Sequence, residues 1–247
     1  MFRRYGMVAG LTLLLSACQA SPTFLNPASP IAGNVANLYK IILGLALVVF
    51  VLVEGALILI VVRDRRRPGD DELPEQIHGN MRLEIVWTAI PILLVIFLFG
   101  MTVQTANSIS APRPQSGDMH VRVKGHQWWW EFDYLDQGFA TANELHIPLG
   151  ATVQVSLESV DVIHSFWVPQ LSGKTDVIPG QHNTMWLKGE RVGEYLGQCA
   201  EFCGTEHALM RFKVFVDSQE DFDAWVENQL RPAYAPQTSD ERGGYKE

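Results

Sequence analysis

Four metal-binding side chains follow one another closely in the segment "CAEFCGTEHALM". Cys199 and Cys203 are separated by three residues, His207 lies four positions further on, and Met210 three positions after that. A fifth candidate, His164, lies in "DVIHSFW", just after a predicted strand. A mononuclear copper site for electron transfer uses two histidines, one cysteine and a weakly bound methionine. The chain has this set of donors and one additional cysteine.

The additional cysteine predicts a site for two copper ions. Two thiolates on one loop can each bridge both ions, and each ion then also binds one histidine. The remaining weak positions fall to the Met210 sulfur and to a backbone carbonyl between the cysteines. Because the odd electron is shared over two coppers and two sulfurs, bond lengths alter little on oxidation and electron transfer is fast. A structural disulfide and a zinc site are the alternatives, although zinc has little use for a thioether.

The N-terminus has the basic start, apolar middle and small-residue end of a secretory signal. Its last residues, "LLLSAC", resemble a bacterial lipobox, in which the cysteine is lipidated. We therefore predict that residues 1–17 are removed and that a lipidated Cys18 is the mature N-terminus. Ordinary cleavage nearby, which would leave Cys18 as a discarded or spare thiol, is the alternative.

Two apolar stretches, residues 41–62 and 85–106, each approach the roughly 20 residues that a helix needs to cross a bilayer. The segment between them holds five arginines, whereas no lysine or arginine lies between residues 18 and 39. Because positive residues favour the cytoplasmic side, we predict a two-helix transmembrane hairpin over 38–106 with a cytoplasmic loop. The segment 18–37 and everything after the hairpin then lie outside the plasma membrane.

The outer domain, residues 107–230, is predicted to be all-β, because several segments alternate apolar and polar positions between turn residues. The three clearest segments are 119–124, 151–157 and 211–216. A short helix with a serine cap is predicted over 218–230, and a disordered tail over 231–247. From residue 107 onward, 11 lysines and arginines stand against 20 acidic residues, a net charge of about −9. This charge favours attraction of a basic partner, and a domain that is acidic only for solubility is the equally supported alternative.

Five motifs resemble subunit II of the haem-copper cytochrome c oxidases, the subunit that carries the binuclear CuA centre. In chain order they are "EIVWTAIP", "GHQWWWEFDY", "DVIHSFWVPQL", "KTDVIPGQ" and "GQCAEFCGTEHALM". The resemblance implies a membrane-anchored all-β protein, in which the two-helix hairpin precedes a cupredoxin-like Greek-key β-barrel with a short C-terminal helix. It also implies a multi-pass protein of a bacterial plasma membrane, with its C-terminal domain on the periplasmic face.

The resemblance assigns the copper site residue by residue. The implied copper-binding side chains are those of His164, Cys199, Cys203, His207 and Met210. Glu201 becomes a copper ligand through its backbone carbonyl, and its carboxylate is directed to a magnesium ion shared with subunit I. From the residue alone, Glu201 would be a solvated surface acid.

Three further positions gain roles from the resemblance. Trp128, the first of three adjacent tryptophans, receives electrons from the incoming haem edge, and Asp161 helps to dock the electron carrier. Glu84, at the cytoplasmic end of the second helix, stands at the mouth of a proton-uptake path. The three tryptophans cannot all face one core, because successive side chains of a strand point to opposite faces. Glu54, inside the first helix, gains no role.

The implied function is transfer of electrons from cytochrome c, or another small carrier, to haem in subunit I, where oxygen is reduced to water and protons are pumped. Subunit III is a further expected partner, and no nucleic acid is expected. Haem is expected only in the partner subunit, because the chain lacks a Cys-x-x-Cys-His motif. The alternatives are a quinol-oxidase subunit II, which would lack the copper ligands, and a membrane-tethered copper-binding or assembly protein without an oxidase partner.

Overall fold

The computed structural model describes residues 23–65, 69, 76, 78–110 and 117–232. The predicted signal 1–17, the lipidation site Cys18, most of the arginine-rich loop and the tail after residue 232 lie outside the described residues. The chain divides into two compact units. The described parts of Met1–Arg113 form the first unit with Val168–Lys174, and those of Pro114–Trp167 and Thr175–Glu247 form the second.

Two long helices, α1 (Pro30–Arg63) and α2 (Met81–Ile109), dominate the first unit. Each begins at a side-chain cap: the Ser29 hydroxyl accepts a hydrogen bond from the backbone of α1, and the Asn80 side chain accepts two from α2. Both helices are long and apolar enough to cross a membrane, as predicted, and each extends beyond its predicted apolar stretch at both ends. The segment Val168–Lys174 lies against the start of α1, where the Ser29 hydroxyl donates to the carbonyl of Leu171 at 2.6 Å.

Ten strands form the second unit over the residues that are described. In chain order they are β1 (Met119–His126), β2 (Trp129–Tyr134), β3 (Phe139–Ala142), β4 (Glu144–Pro148), β5 (Val153–Ser159), β6 (His164–Trp167), β7 (Thr175–Val177), β8 (Asn183–Leu187), β9 (Gly193–Cys199) and β10 (Arg211–Asp217). One sheet has the order β3-β2-β1-β5-β8, and the other has the order β4-β10-β9-β6-β7. The pairs β1–β5 and β4–β10 are parallel, and the remaining pairs are antiparallel.

An aromatic core joins the two sheets. Trp130 and Phe132 of β2 contact Phe166 of β6 and Phe212 of β10, with ring centroids 5.5 to 6.4 Å apart. All four rings are buried. Since the two inner faces interlock in this way, the domain is a β-sandwich or half-barrel, and the predicted fold class of a helical anchor followed by an all-β domain is confirmed.

The predicted C-terminal helix is α3 (Gln219–Leu230), and its cap is Ser218, whose hydroxyl accepts a hydrogen bond from the backbone of Asp221. Its Trp225 stacks on His146 of β4, with centroids 4.1 Å apart. The helix therefore covers one edge of the sandwich.

Candidate metal centre

One loop between two adjacent strands carries most of the metal-binding side chains. Cys199 is the last residue of β9, and Met210 immediately precedes β10. The backbone of Cys199 donates to the carbonyl of Met210 at 3.0 Å, so the base of the loop is closed by the sheet itself. Between them the chain turns through Gly204, whose φ of +124° favours glycine, and a short 3₁₀ helix over His207–Leu209.

His164 reaches this loop from the neighbouring strand. It begins β6, which pairs with β9 so that Phe166 lies opposite Cys199. The side chain of His164 is fully buried, and it packs directly against the backbone of Gly125 in β1. A Cβ atom at position 125 would lie only 2.8 Å from the His164 ring, so this close approach requires glycine.

The donor atoms converge in two similar halves. The sulfur of Cys199 lies 4.0 Å from Nδ1 of His164, and the sulfur of Cys203 lies 3.6 Å from Nδ1 of His207. The two sulfurs are 3.8 Å apart. One weak donor accompanies each half: the Met210 sulfur lies 3.7 Å from that of Cys203, and the carbonyl oxygen of Glu201 lies 3.2 Å from that of Cys199.

The donor set fits copper. Both cysteines are free, and their separation of 3.8 Å is nearly twice the roughly 2.05 Å of a disulfide bond. A first-row metal ion binds a thiolate at about 2.3 Å, so one ion can contact both sulfurs. Four of the candidate ligands are buried, namely Cys199, Cys203, Met210 and His164. A set of thiolates, a thioether and imidazoles suits copper better than zinc.

The pKa values of the two cysteines are shifted in opposite directions. Burial raises the pKa of Cys199, but hydrogen bonding, led by that from His164, outweighs burial and lowers it. Burial and the neighbouring Cys199 both raise the pKa of Cys203. Burial lowers the pKa of His164, but its hydrogen bonds with Cys199 and Asp161 outweigh burial and raise the pKa overall. Because metal ions bind thiolates and neutral imidazoles, metal binding would release the remaining protons.

Family models match both parts of the chain. The model of the cytochrome c oxidase subunit II transmembrane domain matches residues 17–103, and that of the periplasmic domain matches residues 137–217. Cytochrome c oxidase subunit 2 of Alkalihalophilus pseudofirmus is 43% identical over 241 residues, which cover 94% of this chain and 70% of that protein. The chain belongs to the cytochrome c oxidase subunit II family. It is therefore a membrane-anchored protein with a periplasmic domain.

The chain is also similar to two further oxidase subunits. Quinol oxidase subunit 2 of Bacillus cereus is 33% identical over 228 residues, which cover 90% of this chain and 78% of that protein. The crystal structure of the periplasmic domain of subunit II of cytochrome oxidase from Bradyrhizobium japonicum is 31% identical. The match covers 47% of this chain and 95% of that chain, with a TM-score of 0.45. Membership of this family supports an oxidoreductase role at the level of the oxidase complex.

Trp128 lies directly against the metal-binding loop of this subunit II chain. Its indole Nε1 donates to the carbonyl oxygen of Cys203 at 3.2 Å. Trp129 and Trp130 lie next to each other in β2 and point to opposite faces, so Trp130 is buried in the core and Trp129 stacks on His126. Trp128 precedes the strand and is half-buried. Trp128 therefore has a direct hydrogen bond to Cys203, one of the candidate ligands.

Asp161 also contacts the site, although sequence reasoning gave it only a docking role. Its carboxylate accepts hydrogen bonds from the backbone of Gln127 and Val162, at 2.7 and 2.6 Å. It also lies 2.8 Å from Nε2 of His164, which holds that ring so that Nδ1 faces the sulfurs. These hydrogen bonds, led by that with His164, outweigh burial and lower the pKa of Asp161.

The structure describes both glutamates that were expected to act in proton and magnesium chemistry. Glu201 is exposed, while its backbone carbonyl faces Cys199. Glu84 lies in the first turn of α2, where the positive end of the helix dipole favours a carboxylate, and it lines a shallow cleft with Thr88.

Sequence reasoning missed two residues that hold the site together. Gln127 donates from Nε2 to the carbonyl of Cys203 at 2.7 Å, beside the bond from Trp128. Gly125 leaves room for the His164 ring. Both lie in the motif "GHQWWWEFDY", but nothing in its composition shows that its loop reaches the cysteines.

Proposed function

We propose that this subunit accepts electrons from a cytochrome c, or a similar small carrier, at a centre of two copper ions and passes them to a haem in subunit I. The observation that carries the proposal is the pairing of two free cysteine sulfurs, 3.8 Å apart, with two histidines, one beside each sulfur. A mononuclear copper site of the electron-transfer type would use both histidines but only one of the two cysteines. Bound copper supplies one-electron acceptance and release with little movement of its ligands.

The residues around the candidate ligands exclude water and hold the ligands in position. Cys199, Cys203, Met210 and His164 are buried, which keeps water from the ligands. Sheet hydrogen bonds hold both ends of the loop, and Asp161 holds the His164 ring, so the ligands are positioned before a metal ion binds. A rigid donor set favours fast electron transfer, because few bonds need to change.

Electron input is proposed to occur at Trp128. The hydrogen bond from its indole to the carbonyl of Cys203 joins the surface of the domain to a copper ligand by a short bonded route. The net charge of about −9 on the outer part of the chain would attract a basic carrier. Asp161 is included in the docking surface because its side chain is 28% exposed beside this loop.

The remaining assignments complete the proposal. Both helices would cross the bacterial plasma membrane, with the arginine-rich loop in the cytoplasm. Glu84, at the start of α2, would then lie at the cytoplasmic mouth of a proton path. The exposed carboxylate of Glu201 would bind a magnesium ion shared with subunit I.

Metal analysis of the full-length chain tests the site. The protein is purified in mild detergent under reducing conditions, loaded with copper, and then freed of reductant and reoxidised in air before the copper content is compared with the electron spin resonance spectrum. We expect two coppers per chain and one unpaired electron shared between them. Binding of a single copper, or loss of both free thiols to a disulfide after loading, would refute the proposed centre.

Two neighbouring tryptophans provide a matched test of electron input. Trp128→Phe removes the hydrogen bond to Cys203, whereas Trp129→Phe alters a ring that stacks on His126. Reduction of the copper centre by reduced cytochrome c is followed by stopped-flow absorbance in the oxidase complex. We expect Trp128→Phe to slow reduction by an order of magnitude or more and Trp129→Phe to leave it nearly unchanged. Equal rates in the two variants would contradict a special role for Trp128.

The two alternatives make different predictions. A quinol-oxidase subunit II would not bind copper at this loop, so the copper measurement separates it from the proposed function. A membrane-tethered copper-binding protein would bind copper but would purify from its native membrane without a haem-bearing partner. Co-purification with a haem protein therefore favours the oxidase.

A further inference from the structure

A cleft within the first unit contains a single ionisable side chain. It lies between α1 and α2, has a volume of about 470 Å³, and is lined by one face of α1 together with Leu94 and Leu98 of α2. Glu54 lines it, and the eight other lining residues are all apolar. Glu54 is therefore the only polar side chain among the described residues that line this cleft.

Glu54 is too deep for its side chain to reach the membrane surface. The apolar stretch of α1 spans residues 41–62, about 33 Å at 1.5 Å per residue, which matches a hydrocarbon core of about 30 Å. Glu54 lies eight residues before the end of this stretch, or about 12 Å along the helix axis. This distance exceeds the reach of a glutamate side chain, so its carboxyl group lies in the hydrocarbon layer.

The hairpin itself offers Glu54 no partner. Glu54 forms no hydrogen bond or ion pair with any residue that the structure describes. Glu84 differs, since it lies in the first turn of its helix, close to the polar end. A carboxyl group in hydrocarbon without a hydrogen-bonding partner is costly whether it is charged or neutral. The partner must therefore come from outside the hairpin.

We propose that the cleft around Glu54 is the docking surface for a transmembrane helix of the partner oxidase subunit, which presents an N–H or O–H donor to the Glu54 carboxyl group. This inference rests on the proposed function, since it requires a membrane-embedded partner. Ala46, two turns before Glu54 on the same face, has a small side chain that allows a second helix to approach closely. A lipid head group is a poorer occupant, because it would have to leave the surface to reach this depth.

Substitutions at position 54 test the docking surface in the whole complex. The tagged chain is produced with its oxidase partners in the native membrane, and haem per copper is measured after purification through increasing detergent washes. Glu54→Leu removes the hydrogen-bond acceptor, whereas Glu54→Gln keeps an acceptor oxygen. Leu59→Ala is the control, because Leu59 lies about 140° around α1 from Glu54 and does not line the cleft.

We expect Glu54→Leu to keep its copper signal but to retain about three- to tenfold less haem-bearing partner than the wild type. Glu54→Gln and Leu59→Ala should retain the partner. Equal retention by Glu54→Leu and wild type would overturn the inference, as would equal losses in Glu54→Leu and Glu54→Gln. Failure of the wild type itself to bring down a haem protein would instead contradict the proposed function.

A second variant covers the possibility that Glu54→Leu does not accumulate in the membrane. Glu54→Ala removes the same acceptor with a smaller side chain. If neither variant accumulates with copper even when the partner subunits are absent, the hairpin alone needs the carboxyl group, and the docking inference is wrong. If both accumulate alone and only association is reduced, the inference is supported.

Discussion

Gly125→Ala should disturb the metal centre although it replaces none of the candidate ligands. Gly125 lies in β1, and its backbone supports the fully buried ring of His164. An added Cβ would lie 2.8 Å from Cδ2 and 3.1 Å from Cγ of that ring. Ordinary carbon–carbon contacts begin near 3.4 Å, so the ring or the strand must move by about 0.6 Å.

The magnitude of this displacement decides the expected outcome. Metal–ligand distances in a formed site lie within about 0.2 Å of their preferred values, so a shift of about 0.6 Å cannot be absorbed at the imidazole. The shift also disturbs the 2.8 Å contact between His164 and Asp161. Overpacking of this kind costs about 1–3 kcal/mol, or about a 5- to 150-fold change in an equilibrium constant. We therefore expect weaker copper binding and a less stable domain.

The assay uses the full-length chain in detergent. Copper content and the electron spin resonance spectrum report on the site, and denaturant unfolding reports on stability. Gly173→Ala is the matched control, because a Cβ at that position would meet no atom within 4 Å. The control should stay within about 0.5 kcal/mol of the wild type. If Gly125→Ala binds as much copper with an unchanged spectrum and an unchanged unfolding midpoint, the packing argument is refuted.

Two further predictions concern contacts around the site. Gln127→Ala removes the 2.7 Å hydrogen bond to the carbonyl of Cys203, and we expect copper affinity to fall about 10- to 100-fold in chelator competition; unchanged affinity would refute a positioning role. The hydrogen bond from Lys124 lowers the pKa of Glu131 below its unfolded value of about 4.3. The ionised Glu131 therefore stabilises the folded domain above this pH, and this contribution to the free energy of unfolding should be lost as the pH falls through the lowered pKa. In Glu131→Gln the free energy of unfolding, measured by denaturant titration at several pH values, should fall by about 1 kcal/mol less over this pH range than in the wild type. An equal fall in the two proteins would contradict the assignment.

The sequence was sufficient for features that depend on near neighbours along the chain. Hydrophobic stretches of about 20 residues predicted the two apolar helices, and period-two alternation predicted strands that became β1, β5 and β10. Their ends differed by one or two residues, because strand ends depend on pairing partners. The helix over Gln219–Leu230 was equally local, since its cap and apolar spacing lie within one segment.

Four of the candidate ligands were also local. Cys199, Cys203, His207 and Met210 lie on one loop, so their spacing alone limits how far apart their side chains can be. The choice between a disulfide and an open pair of thiols was not local. It depends on how the ends of β9 and β10 hold the loop, and the resulting separation is 3.8 Å.

The order of residues alone fixes which donors the chain possesses, how the loop ligands follow one another and how long its two apolar helices are. The folded domain is needed to bring His164 to a cysteine 35 positions away, to place Gly125 where it leaves space for that ring, and to bring Asp161 and Gln127 against the site. These two kinds of feature differ because the forces behind them act over different distances along the chain. Periodicity and loop spacing act over a few residues, whereas pairing between strands distant in sequence is set only when both sheets close around one core.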